Sequence, residues 1–130
     1  MDPEKLKKDL KAEGFRLGAL YGFDYEHYDR DLKDLNSFVA KKTLREWNGW
    51  RNPEVELKII VDATFDARFQ KDVVVQLRHG DNFREVKLSV TADGKAVEDW
   101  RPAVKKIVQD YLDELGKVYA RLAEFNMTGA

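Results

Sequence analysis

The chain has 130 residues, of which 43% are hydrophobic and 36% are charged, and its 23 basic and 24 acidic side chains leave a net charge of −1. This length suits one domain over residues 1–130, and the apolar content excludes a disordered chain. A membrane-spanning helix is excluded because no apolar run reaches about 18 residues, and the lack of cysteine excludes a disulfide scaffold and a thiolate zinc site. The first residues have no apolar core of a secretory signal, so we expect a cytoplasmic protein.

The N-terminal residues predict a short helix over residues 3–13. Asp2 is a favoured N-cap, and Pro3 suits the first helical position because the N–H that it lacks would have no partner there. Gly14 suits the left-handed position that follows a helix. After this helix, two glycines and several aromatic residues leave residues 15–25 undecided between a strand and an irregular segment.

The next stretch predicts a second, long helix over residues 26–47. Its apolar residues recur at helical spacing, at Tyr28, Leu32, Leu35, Phe38, Val39, Leu44 and Trp47. Acidic residues come early in this stretch and basic residues late, which is the order that the helix dipole favours. Asn48 and Gly49 then predict the end of the helix.

Apolar residues alternate with polar ones in the middle of the chain and predict three antiparallel strands, over residues 55–65, 73–79 and 86–90. One register keeps the apolar side chains on a single face. It pairs Val61 with Val75, Ile59 with Leu77, Leu77 with Val86, and Val75 with Leu88. The same register places Arg78 opposite Glu85, which is a favourable cross-strand pair.

A two-residue turn at Asp93 and Gly94 predicts that residues 95–97 fold back as a short fourth strand. The last helix begins at a cluster of start signals, Glu98, Asp99 and Pro102. Its apolar stripe is wide and consists of Trp100, Val104, Ile107, Val108, Tyr111, Leu112, Leu115, Val118, Tyr119, Leu122 and Phe125. We expect this helix to lie across the sheet.

The elements together predict an α+β fold, because strands and helices occur in separate runs along the chain. The expected architecture is an antiparallel meander of three to four strands, packed by two long helices, with a short N-terminal helix in addition.

Three residues are candidates for acid–base chemistry, namely Asp24, His27 and His79. His27 lies in an acidic stretch, where a carboxylate can orient the imidazole ring, and His79 ends the apolar face of the second strand. Neither histidine has the spacing of a metal motif, and the sequence contains no nucleophile elbow and no phosphate-binding loop. We therefore expect no metal, no cofactor and no catalytic role.

Two surfaces are candidates for binding. Ile60 and Val74 interrupt the polar face of the sheet as diagonal neighbours, and Trp47 and Trp50 lie at the predicted end of the second helix. These four residues favour a non-catalytic binding module that associates with itself or with a protein partner.

The alternative is a small-ligand pocket. More than half of the aromatic residues fall between residues 15 and 50, where Tyr21, Phe23 and Phe38 would line a cavity against the sheet. In that case the three acid–base candidates would allow a small enzyme.

Nucleic-acid binding is the least favoured function, because no part of the chain has an excess of Lys and Arg. The order of helix, three strands and helix between residues 26 and 126 is similar to that of the double-stranded-RNA-binding domain. That family places a lysine-rich run at the start of its last helix, where this chain has Glu98, Asp99, Trp100, Arg101 and Pro102.

Overall fold

The computed structural model describes residues 1–20, 37–47, 50–64 and 66–128, and it describes side chains in residues 1–20, 37–44, 55–64 and 66–114. The elements are α1 (Pro3–Ala12), β1 (Arg16–Ala19), β2 (Phe38–Trp47), β3 (Trp50–Val61), β4 (Val73–His79), β5 (Asn82–Leu88) and α2 (Arg101–Thr128). The strands form one antiparallel sheet in the order β1-β2-β3-β4-β5. The α+β class and the antiparallel meander are thus confirmed, but the sheet has five strands instead of three or four.

Helix α1 has the ends that its sequence predicts. The Asp2 side chain accepts a hydrogen bond from the Lys5 N–H at 2.7 Å. Gly14 has a φ of +88°, and the N–H of Phe15 donates to the carbonyl of Leu10 at 3.0 Å, so the helix ends in a Schellman motif. The apolar side of the helix is fully buried.

The prediction of a helix over residues 26–47 is wrong for residues 38–47, which form strand β2, while residues 26–36 lie outside the described part of the chain. Phe38 pairs with Val61, and Ala40 pairs with Ile59. All four side chains are fully buried on one face of the sheet. Hydrogen bonds to β1 and β3 together with this burial outweigh the local preference for a helix.

The predicted registers keep the correct face of each strand but are shifted by two residues. In the structure Ile59 lies opposite Val75, and Val75 lies opposite Val86. Glu85 lies opposite Gln76, and the predicted pairing of Arg78 with Glu85 is wrong. The cause of the shift between β4 and β5 is the two-residue loop of Gly80 and Asp81, which makes His79 the partner of Asn82. Alternation sets only the face of a strand, so a shift of two residues is invisible to it.

Helix α2 packs against β4 and β5, as expected. Trp100 lies just before the helix. It is buried with Ile107, Val108 and Tyr111 in one hydrophobic core, which also contains Leu6 and Leu10 of α1 and at least one side chain from each of the five strands. The predicted stripe beyond residue 114 lies outside the described side chains. The fourth-strand prediction is confirmed only as a single antiparallel bridge between Val90 and Val97.

Candidate functional site

An open groove of about 590 Å³ lies between β5 and the first turns of α2. It is lined by Arg84, Glu85, Val86, Pro102, Ala103, Lys106, Ile107 and Asp110. Val86 is 37% exposed, and Phe83 on the same strand is 47% exposed. These two are the exposed large hydrophobic side chains within the described residues.

Val86 is exposed because of where its strand lies in the sheet. The alternation predicts it as a core residue, and its cross-strand partner Val75 is indeed fully buried. Strand β5 is the last in the sheet order, however, and the groove separates Val86 from the first turns of α2. The alternation therefore predicts the correct face for Val86. It does not predict the groove, because the groove depends on strand order and helix position.

The outer edge of β5 carries backbone groups that point away from the sheet. His79 and Asn82 flank the two-residue loop after β4 and lie opposite each other. In a hairpin of this kind, the two residues that flank the loop form a hydrogen-bonded pair. The alternation along the strand then directs the N–H and C=O groups of Phe83, Glu85 and Lys87 outwards.

Ser89 shows the same alternation at the far end of β5. Its N–H donates to Glu98 Oε1 and its carbonyl accepts from the Glu98 N–H, both at 3.1 Å. Glu98 thus occupies the edge beside Ser89. Within the described part of the chain, the open edge runs over residues 83–87 and stops there.

Charges of both signs surround the groove. Arg84 forms an ion pair with Glu114, and Lys106 and Asp110 are exposed on α2. On the opposite face of the sheet, Glu85 Oε2 accepts a hydrogen bond from Gln76 Nε2 at 3.0 Å. The groove therefore has no dominant charge, and Val86, Ala103 and Ile107 supply its apolar lining.

The structure brings Ile60 and Val74 closer together than expected, because they are direct cross-strand partners. Both are half-buried, and the next residue in the row, Val39, is only 1% exposed. Trp47 and Trp50 pair with each other at the far end of the β2–β3 hairpin. Ile60 lies ten positions after Trp50 on β3, which is about 33 Å along a strand, so the four residues do not form one surface.

The pocket and acid–base candidates are only partly described. Tyr21, Phe23, Asp24 and His27 lie outside the described residues. Phe38 is fully buried in the core.

His79 is half-buried and forms a hydrogen bond through Nδ1 with the hydroxyl of Tyr111. The two rings meet edge-to-face with centroids 5.5 Å apart. This contact ties the end of β4 to α2.

The lowered carboxyl pKa values lie outside the groove. A hydrogen bond from Trp100 lowers the pKa of Asp9, and the Thr91 hydroxyl lowers that of Asp93. The Thr64 hydroxyl does the same for Asp66. In each case the hydrogen bond favours the charged carboxylate, which stabilises a helix contact or a turn.

The described residues contain no group of three or more His, Asp or Glu side chains arranged to hold a metal ion. In the described helices, no segment has the length and apolar content needed to cross a membrane. Comparison of the chain with protein families, characterised proteins and solved structures finds no match.

Proposed function

We propose that this protein is a non-catalytic binding module that takes an extended segment of a protein partner as an added strand on β5. The observation that carries the proposal is Val86, an exposed apolar side chain on an open strand edge beside a groove. Added strands gain affinity from main-chain hydrogen bonds and specificity from pockets for alternate side chains. Here the edge supplies the first and the groove the second.

The groove has room for an apolar side chain of the partner. In an added strand, the residue opposite Val86 points to the same face as Val86, towards α2. There Ala103 and Ile107 form the wall of the groove. Burial of the partner's side chain would also cover Val86, and each aliphatic side chain that leaves water contributes about 1.5–3 kcal/mol.

The short edge limits the affinity. Residues 83–87 direct the backbone groups of only three residues outwards, so the interface is far below the usual 1,200–2,000 Å² of a stable complex. We therefore expect a transient interaction with a dissociation constant of about 10 μM or weaker.

A selection from a library of linear seven-residue peptides tests the proposal without a known partner. The wild-type protein is expected to enrich peptides with an apolar central residue, and the Val86→Asp variant is expected to lose them. The matched control is Thr43→Asp, which places the same charge on an exposed position of β2. No enrichment, or enrichment that Val86→Asp retains, would contradict the proposal.

N-methylated peptides then test the added strand itself. The partner residues on either side of the one in the groove would bond to Glu85 and Lys87, while the N–H of the groove residue would point away. Methylation of either flanking nitrogen should abolish binding, and methylation of the groove residue's nitrogen should be tolerated. Equal effects at all three positions would contradict strand addition.

Ile60 and Val74 are a second candidate surface for the same kind of function. Their direct pairing supports an apolar contact on the face away from the helices, whereas their partial burial leaves less area for a partner than β5 offers. The same selection distinguishes the two surfaces, because Ile60→Asp would abolish enrichment only if this pair binds the peptides.

A further inference from the structure

The two residues that flank Val86 carry opposite charges. Glu85 and Lys87 are exposed, and strand alternation places both on the face of β5 away from α2. Their cross-strand neighbours on β4 are Gln76 and Val74, neither of which carries a charge. On the open side of β5, each would lie beside a residue of the added strand.

We infer that the partner segment carries the pattern acidic–apolar–basic, read from its N-terminus, and runs antiparallel to β5. This inference rests on the proposed strand addition. In an antiparallel strand, the residue opposite Lys87 comes first, the residue opposite Val86 second and the residue opposite Glu85 third. Opposite charges at directly paired positions stabilise a sheet, and like charges destabilise it.

The antiparallel direction follows from the rest of the sheet. Every described strand pair is antiparallel, and antiparallel pairing is slightly more stable per residue than parallel pairing. A parallel segment would need the reverse pattern, basic–apolar–acidic. The charge order that the protein prefers therefore also reports the direction of the added strand.

A second copy of the chain carries the required charge pattern, but its neighbouring residues do not fit the edge of β5. Glu85, Val86 and Lys87 themselves read acidic–apolar–basic, so two β5 strands could pair through Val86. That pairing would place Phe83 of the second copy beside Ser89, where Glu98 already occupies the edge. The occupant is thus a short segment of a different protein that ends or turns away before it reaches Ser89.

Three five-residue peptides, acetylated and amidated, test the inference by NMR titration of the labelled protein. They are Thr-Glu-Val-Lys-Thr, the swapped Thr-Lys-Val-Glu-Thr and the neutral Thr-Ser-Val-Ser-Thr. Two favourable pairs replaced by two unfavourable ones should separate the first two peptides by about three- to tenfold in dissociation constant. The amide signals of residues 83–87 should shift on binding.

The double variant Glu85→Lys with Lys87→Glu supplies the control. It keeps the composition and changes only exposed positions, so it should fold as the wild type does, and it should prefer the swapped peptide by a similar factor. Added salt should reduce both preferences, because exposed charges are screened.

The possible failures are distinct. Equal affinity for all three peptides, with shifts at residues 83–87, would overturn the charge pattern and leave strand addition standing. A wild-type preference for the swapped peptide would overturn the antiparallel direction. No binding of any peptide, including the neutral one, would overturn the proposed function itself.

Discussion

Trp100 donates its indole N–H to Asp9 Oδ2 at 2.8 Å, across 91 positions of the chain. Arg101 binds the other oxygen of the same carboxylate at 2.6 Å. Phe15 packs edge-on against the Trp100 ring, with centroids 5.5 Å apart. These contacts fix the start of α2 against α1, and the first turns of α2 form one wall of the groove.

Loss of the Asp9 carboxylate should destabilise the protein. Asp9→Ala removes acceptors of both donors and should cost about 2 kcal/mol, because hydrogen bonds to charged groups contribute about 1.5–3 kcal/mol. Asp9→Asn keeps an acceptor for Trp100 and should cost about 1 kcal/mol. Urea unfolding monitored by tryptophan fluorescence measures both values. An unchanged midpoint for Asp9→Ala would contradict this role.

The same carboxylate should make stability depend on acid pH. Its pKa in the folded protein is below the ordinary aspartate value of 3.8, first because of Trp100 and then because of Arg101. The contribution of the Asp9 carboxylate to the free energy of unfolding is therefore complete above pH 3.8. It is lost as the pH falls through the lowered pKa of the folded protein. Asp66 and Asp93 act in the same direction.

In thermal unfolding between pH 2 and 6, the midpoint temperature of the wild type should fall at acid pH, and Asp9→Asn should reduce this fall. Asp81→Asn, a change in an exposed loop, serves as the control. If the midpoint temperature fell equally with pH in the wild type and in Asp9→Asn, other groups would be the cause of the acid dependence.

Two turn glycines should differ in their tolerance of alanine. Gly94 has a φ of +73°, and a Cβ there would lie 2.9 Å from the carbonyl oxygen of Phe69, whose N–H already donates to Gly94 at 2.6 Å. Gly80 has a φ of +59° and no atom within 4 Å of that position. Gly80→Ala should cost about 1 kcal/mol from backbone strain alone, and Gly94→Ala about 3 kcal/mol from strain and the close contact. Denaturant unfolding compares them, and equal losses would argue against the close approach.

The hydroxyl of Ser37 should contribute to the stability of β2. It accepts from the Ala63 N–H at 3.0 Å and lies 3.1 Å from Asp62 Oδ1, which joins the start of β2 to the end of β3. Ser37→Ala leaves the Ala63 N–H without this acceptor and should cost about 1–2 kcal/mol. Ser89→Ala, at an exposed serine, should cost less than about 0.5 kcal/mol. Equal effects in chemical unfolding would count against the contact.

The open edge of β5 should not join two copies of the chain. Because Glu98 blocks the position beside Ser89, we expect a monomer at micromolar concentrations in size-exclusion chromatography with light scattering. Ile60→Asp and Val86→Asp should leave that mass unchanged. A dimer that Val86→Asp dissociates would mean that a second copy occupies the edge, and one that Ile60→Asp dissociates would favour the opposite face.

Local patterns in the sequence predicted α1, the faces of β3 and β4 and the beginning of α2. Capping at Asp2 and Gly14 depends on side chains and φ angles within a few residues, so no distant contact is needed to read it. The alternation through Ile59 and Val75 likewise reports which side of a strand is buried. These features follow from covalent geometry and nearest neighbours.

Only the tertiary structure decided that residues 38–47 form a strand, which residues pair, and that Val86 is exposed. Phe38 and Val39 fit a helical period, whereas Phe38 and Ala40 fit the alternation of a strand. The choice depends on hydrogen bonds to β1 and β3, which lie elsewhere in the chain. The groove beside Val86 lies between β5, the last strand of the sheet, and the first turns of α2. Strand order and helix position are set by the packing of the whole chain, and the residues around Val86 indicate neither of them.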